Sequence, residues 1–135
     1  MTISEINHLT QLKKAINQDK GRLSEINIKI NGLPYCNYTG VAHNGGRHDA
    51  FERLTVTKID LESKIAAEII QEIREEIKLI EFICTVPDST TRIIIFYRFI
   101  DGLTWKDIAR NFGGELTEDG VKRRCMRYIE TTLDR

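Results

Sequence analysis

The sequence predicts an all-α protein: a long antiparallel, coiled-coil-like two-helix arm over residues 1–86, followed by three shorter helices over 87–135. Three observations predict it. Apolar residues step by threes and fours through two long stretches, the period of one helical face. Glycine and proline interrupt the pattern at 31–48, near Pro87, at Gly102 and at Gly113-Gly114. Thr and Asp residues stand where helix N-caps are wanted.

Composition excludes several classes. Lys and Arg number 20, as do Asp and Glu, so the formal charge is zero and no global basic field points to a polyanion. The charge is uneven. Residues 1–48 carry six basic and three acidic side chains, whereas 49–86 carry five and nine. Any affinity for a polyanion therefore has to come from a local patch. Cys36, Cys84 and Cys125 are odd in number and widely spaced, which predicts a reducing, cytoplasmic setting rather than a disulfide scaffold. The start, Met1 to Glu5, lacks a basic segment and an apolar run, so no signal peptide is expected. No stretch approaches the roughly 18 apolar residues of a membrane span.

The first helix is expected from about Thr2 or Ser4 to Ile30. Leu9, Leu12, Ile16, Leu23, Ile26, Ile30 and Leu33 form a seam, with Asp19 filling one position as a polar defect. Lys13, Lys14, Lys20, Arg22 and Lys29 lie off the seam and read as a solvated face.

The stretch from Asn31 to His48 is a loop by its glycines and proline, and it is longer than most helix–helix connections. Tyr35 and Tyr38 are expected to cap the apolar end of the hairpin. Cys36, His43, His48 and Asp49 lack the tight ligand pairs of a structural zinc site, so no metal and no cofactor is expected.

The second helix, about Asp49 to Cys84, carries the strongest repeat. Val56, Ile59, Ser63, Ala66, Ile70, Ile73, Ile77, Ile80 and Cys84 follow without a break, and Ile65 and Ile69 add a second edge. The pattern predicts burial on two faces, and association with a second copy or within a bundle. Pro87 ends this helix and places a domain boundary. A third helix capped by Asp88 or Ser89 runs to Ile100, and Gly102 stops it.

The most informative stretch is Asp101 to Gly114. Thr104 and Asp107 make an N-cap with its N3 partner, so a helix begins at Trp105 with Ile108, Ala109 and Phe112 inward. Gly113 stands where a helix wants a residue of positive φ. Trp105 is expected in the core. A last helix starts after Thr117 and turns Val121, Cys125, Tyr128 (or Ile129) and Thr132 (or Leu133) inward, leaving Lys122, Arg123 and Arg127 outside. Helix, glycine turn and basic-faced helix make the layout of a helix-turn-helix.

Residues 88–133 resemble the fourth region of bacterial sigma factors, through Phe99 to Gly113 and Val121 to Cys125. The whole chain is similar to a family of phage and prophage late transcriptional regulators of Gram-positive bacteria, in which a two-helix arm with a Gly-x-Pro loop precedes that domain. Gly32-Leu33-Pro34 fits the loop. Between Gly113 and Val121 the chain is about two residues longer than the family's turn.

The resemblance implies a transcriptional regulator in the host bacterial cytoplasm that binds double-stranded DNA and is no enzyme. Thr117 would cap the recognition helix, about 118–133, and touch phosphate. Glu118, Asp119, Lys122 and Arg123 would face the major groove. Arg127, Lys106 and Arg110 would meet phosphates. A homodimer through the long helices is expected, with host RNA polymerase as a further partner. Two other readings stay open: a module that docks on RNA polymerase or another protein, and the small DNA-recognition subunit of a phage packaging terminase.

Overall fold

The computed structural model describes residues 1–32 and 45–134, with side chains from Asp49 onward in the second stretch. The described chain is all-helical: α1 (Ile3–Gly32), α2 (Gly45–Thr85), α3 (Ser89–Phe99), α4 (Trp105–Asn111) and α5 (Glu118–Thr132). At the start of α1, Ile3 N–H donates to the Asp134 carbonyl at 2.9 Å. None of the described helices is long and apolar enough to cross a membrane. Leu33, Pro34, Tyr35, Cys36, Tyr38 and His43 lie outside the described residues, as does the side chain of His48.

The chain forms two compact units. One contains Met1–Leu12 and Gln71–Arg135, the other Lys13–Ile70. The packing thus does not divide at Pro87, where the sequence placed the boundary. The reason is a shared core. Ile6 and Leu9 from α1, with Leu79, Ile83 and Val86 at and after the end of α2, pack in one cluster with Ile94, Ile95, Ile108, Val121, Cys125 and Ile129. Pro87 breaks the helix without breaking the core.

Local rules explain the ends of these elements. Thr2 and Glu5 form a capping box: Glu5 N–H donates to Thr2 Oγ1 at 3.2 Å and Thr2 N–H to Glu5 Oε2 at 2.8 Å. That reciprocal bond, helped by Lys78 at 3.6 Å, holds the Glu5 carboxyl below its ordinary range. Asp88 caps α3 by accepting from Thr91 N–H at 3.0 Å. After α4 the chain reverses through Gly113 (φ 65°) and Gly114 (φ 87°), conformations that cost an L side chain dearly.

In the unit of residues 13–70, Ile16 and Ile65 are buried, and so is Asp19, only 4% exposed. The Asp19 carboxylate is not orphaned. Lys64 Nζ lies 3.0 Å from Oδ2 and Arg22 Nη1 3.5 Å from Oδ1. The polar defect in the α1 seam is therefore one half of an ion pair with α2, and the bond raises the pKa of Lys64. Arg22, expected on a merely solvated face, is the third member.

Within the single chain, α2 buries one face only. Two faces were expected to be buried. Instead Ile65, Leu79 and Ile83 turn inward, while Val56, Ile59, Ile70, Ile73, Ile77 and Ile80 remain 41–57% exposed. The strictest repeat in the sequence lies on the outer side of the helix.

Candidate nucleic-acid interface

The candidate interface is built on α5, and three core residues orient that helix. Val121, Cys125 and Ile129 are spaced by fours and fully or almost fully buried. At about 100° per residue, they leave the arc through Asp119, Arg123 and Arg127 pointing away from the core. Tyr128 is half-buried, its ring centroid 6.3 Å from that of Phe82. Burial of the Cys125 thiol pushes its pKa up to about 12 against the opposing pull of Arg98, so it is a packing residue and no nucleophile.

The helix begins as the sequence predicts. Thr117 is the N-cap, its Oγ1 accepting from Gly120 N–H at 3.1 Å. Glu118 and Asp119 fill the first turn, where the helix dipole favours carboxylates. Both are exposed, as is Thr117. Gly120 has a local reason too: a Cβ there would stand 3.0 Å from Thr117 Oγ1.

The basic residues of α5 divide into two sets. Lys122, Arg123 and Arg127 are exposed, and no carboxylate among the described residues pairs with any of them. Arg124 is different. Its Nη2 donates to Asp88 Oδ2 at 2.8 Å and its Nε to Thr91 Oγ1 at 3.1 Å, fastening α5 to the start of α3. Arg124 is thus a structural tie. The Asp88 cap could be read locally, but this tie was not visible in the sequence, because its partners are 33 and 36 residues apart.

Arg123, Arg124 and Arg127 line one open recess of about 810 Å³, together with Thr91 and Thr131. Lys122 is not among its lining residues and lies towards the Glu118 side of the helix. The structure therefore gathers Arg123 and Arg127 and sets Lys122 beside them on the next arc.

On α4, Lys106 is exposed, and Arg110 is exposed with Nη1 3.7 Å from Asp107. Asp107 also completes the cap of α4, its N–H donating to Thr104 Oγ1 at 3.2 Å. Trp105 is partly buried against the core and covered by the Arg98 guanidinium, 4.5 Å from the ring centroid. That position leaves no ring face for stacking on the Arg98 side.

Chemically, the α5 surface offers guanidinium and ammonium donors that pair with no carboxylate among the described residues, next to a pair of first-turn carboxylates. Guanidinium forks match phosphate oxygens and the O6/N7 edge of guanine. Comparison with known protein families, curated proteins and solved structures finds no match.

Proposed function

We propose that the chain is a sequence-specific DNA-binding transcriptional regulator of phage or prophage type, with α3, α4 and α5 acting as a sigma-region-4-like helix-turn-helix and the long helices carrying self-association. The observation that carries the proposal is the sorting of the α5 cations. Arg124 is consumed inside the protein, whereas Lys122, Arg123 and Arg127 are held out on an anchored helix and pair with no carboxylate among the described residues. Such charges are worth most when they displace counterions from a polyanion.

In this reading Arg123 and Lys122 reach base edges, with Glu118 and Asp119 able to accept from cytosine N4. Arg127, Lys106 and Arg110 orient the duplex through phosphates, and Thr117 serves the cap. The proposal makes the protein a binding module with no catalytic group. Selection of bound duplexes from a random pool tests it. A recovered consensus that is lost with Arg123→Ala supports base reading through α5; recovery of no consensus contradicts it.

A second reading, docking on RNA polymerase or another protein, draws on Ile93 and Phe96. These two large apolar side chains of α3 are 42% and 37% exposed. Retention of polymerase binding by Arg123→Ala together with its loss in Ile93→Ser would favour that reading.

A further inference from the structure

We infer that the outward stripe of α2 is the face on which two copies of this chain pair, and that the two α2 helices run antiparallel. The inference deepens the reading of the long helices as the seat of self-association and rests on it; DNA binding by α5 stands or falls separately.

The stripe is too apolar to be ordinary surface. In the unit of residues 13–70, Val56, Ile59 and Ile70 are exposed by half or more. In the other unit Ile73, Ile77 and Ile80 are exposed to a similar degree. All six lie on the single helix α2 and in one unbroken 3–4 repeat with Ser63, Ala66 and Cys84, which are exposed as well. Their apolar surface is on the order of 500 Å² per copy, the size at which a patch marks an interaction site. With flanking side chains it approaches the roughly 800 Å² per partner of a stable interface. A strict 3.5-residue period is also what a pair of helices coiled gently around each other needs to keep one seam in contact over several turns.

The occupant follows from the sizes of the side chains along the seam. Two consecutive seam positions, Ser63 and Ala66, are small, and the positions after them are isoleucines. A parallel pair in register would set Ser63 on Ser63 and Ala66 on Ala66, leaving two thin layers in succession. It would also stack isoleucine at every position from 70 to 80, a pattern that disfavours parallel dimers. Reversing one helix about residue 68 pairs Val56 with Ile80, Ile59 with Ile77, Ser63 with Ile73 and Ala66 with Ile70. Every layer then contains an isoleucine, and each small residue faces a large one. The stripe complements its own reverse, the property that a two-fold contact between identical chains requires.

The test uses the full chain with Cys36→Ser. Sedimentation is expected to show a dimer whose dissociation constant rises by about 100-fold or more in Ile73→Glu/Ile77→Glu, with helix content by circular dichroism unchanged. A wild-type monomer, or a dimer indifferent to these substitutions, overturns the surface. For orientation, Ile59→Cys/Ile77→Cys is expected to form disulfide-linked dimers on mild oxidation, while each single variant does not. In the same arrangement the two Cys84 residues stand roughly 48 Å apart, at about 1.5 Å of rise per residue. A Cys84–Cys84 link in the parent chain overturns the antiparallel pairing and leaves the DNA-binding reading untouched.

Discussion

Arg124 and Asp88 stand 2.8 Å apart although 36 residues separate them, and their contact is what ties the candidate recognition helix to the start of α3. Asp88 serves two helices at once. It caps α3 through Thr91 and receives the guanidinium of α5.

This double duty predicts an acid response. The hydrogen bonds from Thr91, with the Arg124 contribution added, hold the Asp88 pKa down to about 2, below the ordinary 3.8. A depressed carboxyl contributes its stability above the unfolded pKa and loses it as pH falls through the folded one. Thermal unfolding of the wild type and of Asp88→Asn is expected to differ most at pH 5 and above. The gap should close between about pH 4 and 2. A gap that stays constant across that range would contradict the assignment.

The Asp19–Lys64 pair predicts asymmetry between its two truncations. Removing Lys64 leaves a carboxylate that is 4% exposed with Arg22 as its one remaining ion-pair partner among the described residues, so Lys64→Ala is expected to lower Tm by several degrees. Replacing Asp19 with leucine restores the apolar seam, and Asp19→Leu is expected to leave Tm unchanged or raised. Calorimetry on the two variants checks the order; a Tm for Asp19→Leu below that of Lys64→Ala would refute it.

Turn and cap geometry give a third pair of expectations. Gly113→Ala forces an L side chain to φ 65° and should destabilise by about 1–2 kcal/mol. Gly120→Ala would gain about 1 kcal/mol from helix propensity alone. Its Cβ, however, meets Thr117 Oγ1 at 3.0 Å, so the measured gain should be smaller. Urea titration of both variants decides. A full propensity gain at Gly120 would mean that the Thr117 hydroxyl gives way to the added Cβ at no cost.

The cysteines should separate in reactivity. Cys84 is exposed, whereas Cys125 is fully buried with its thiol pKa pushed up to about 12. In Cys36→Ser at pH 8, one thiol is expected to react at once with an aromatic disulfide reagent. The second should react only at the rate of unfolding, accelerating with denaturant. Two fast thiols would contradict the packing of Cys125.

Much of this fold could be read from local spacing because local physics decides it. Thr104 with Asp107, Thr117 with Gly120 and the glycine pair after α4 are caps and turns set within a few residues. The inward positions Val121 and Cys125 follow from one helical period. What spacing could not decide was which of two apolar arcs on α2 turns inward. The arc through Ile65, Leu79 and Ile83 won over the stricter one because tertiary partners choose the face, and periodicity alone does not. The Arg124 tie was hidden for a related reason. A basic residue in a cluster of three looks like its neighbours until its distant carboxylate is seen.

The central claim is that Lys122, Arg123 and Arg127 of α5 serve DNA while Arg124 serves the fold. It is tested most directly by measuring DNA affinity across a salt series for wild type, Arg123→Ala, Arg127→Ala and Arg124→Ala, beside the thermal stability of each. The account predicts that Arg127→Ala lowers the salt slope by about 1 at unchanged Tm. Arg123→Ala should weaken specific binding by about 10-fold or more, also at unchanged Tm. Arg124→Ala should lower Tm. Equal affinity and equal salt slope in wild type, Arg123→Ala and Arg127→Ala would contradict it.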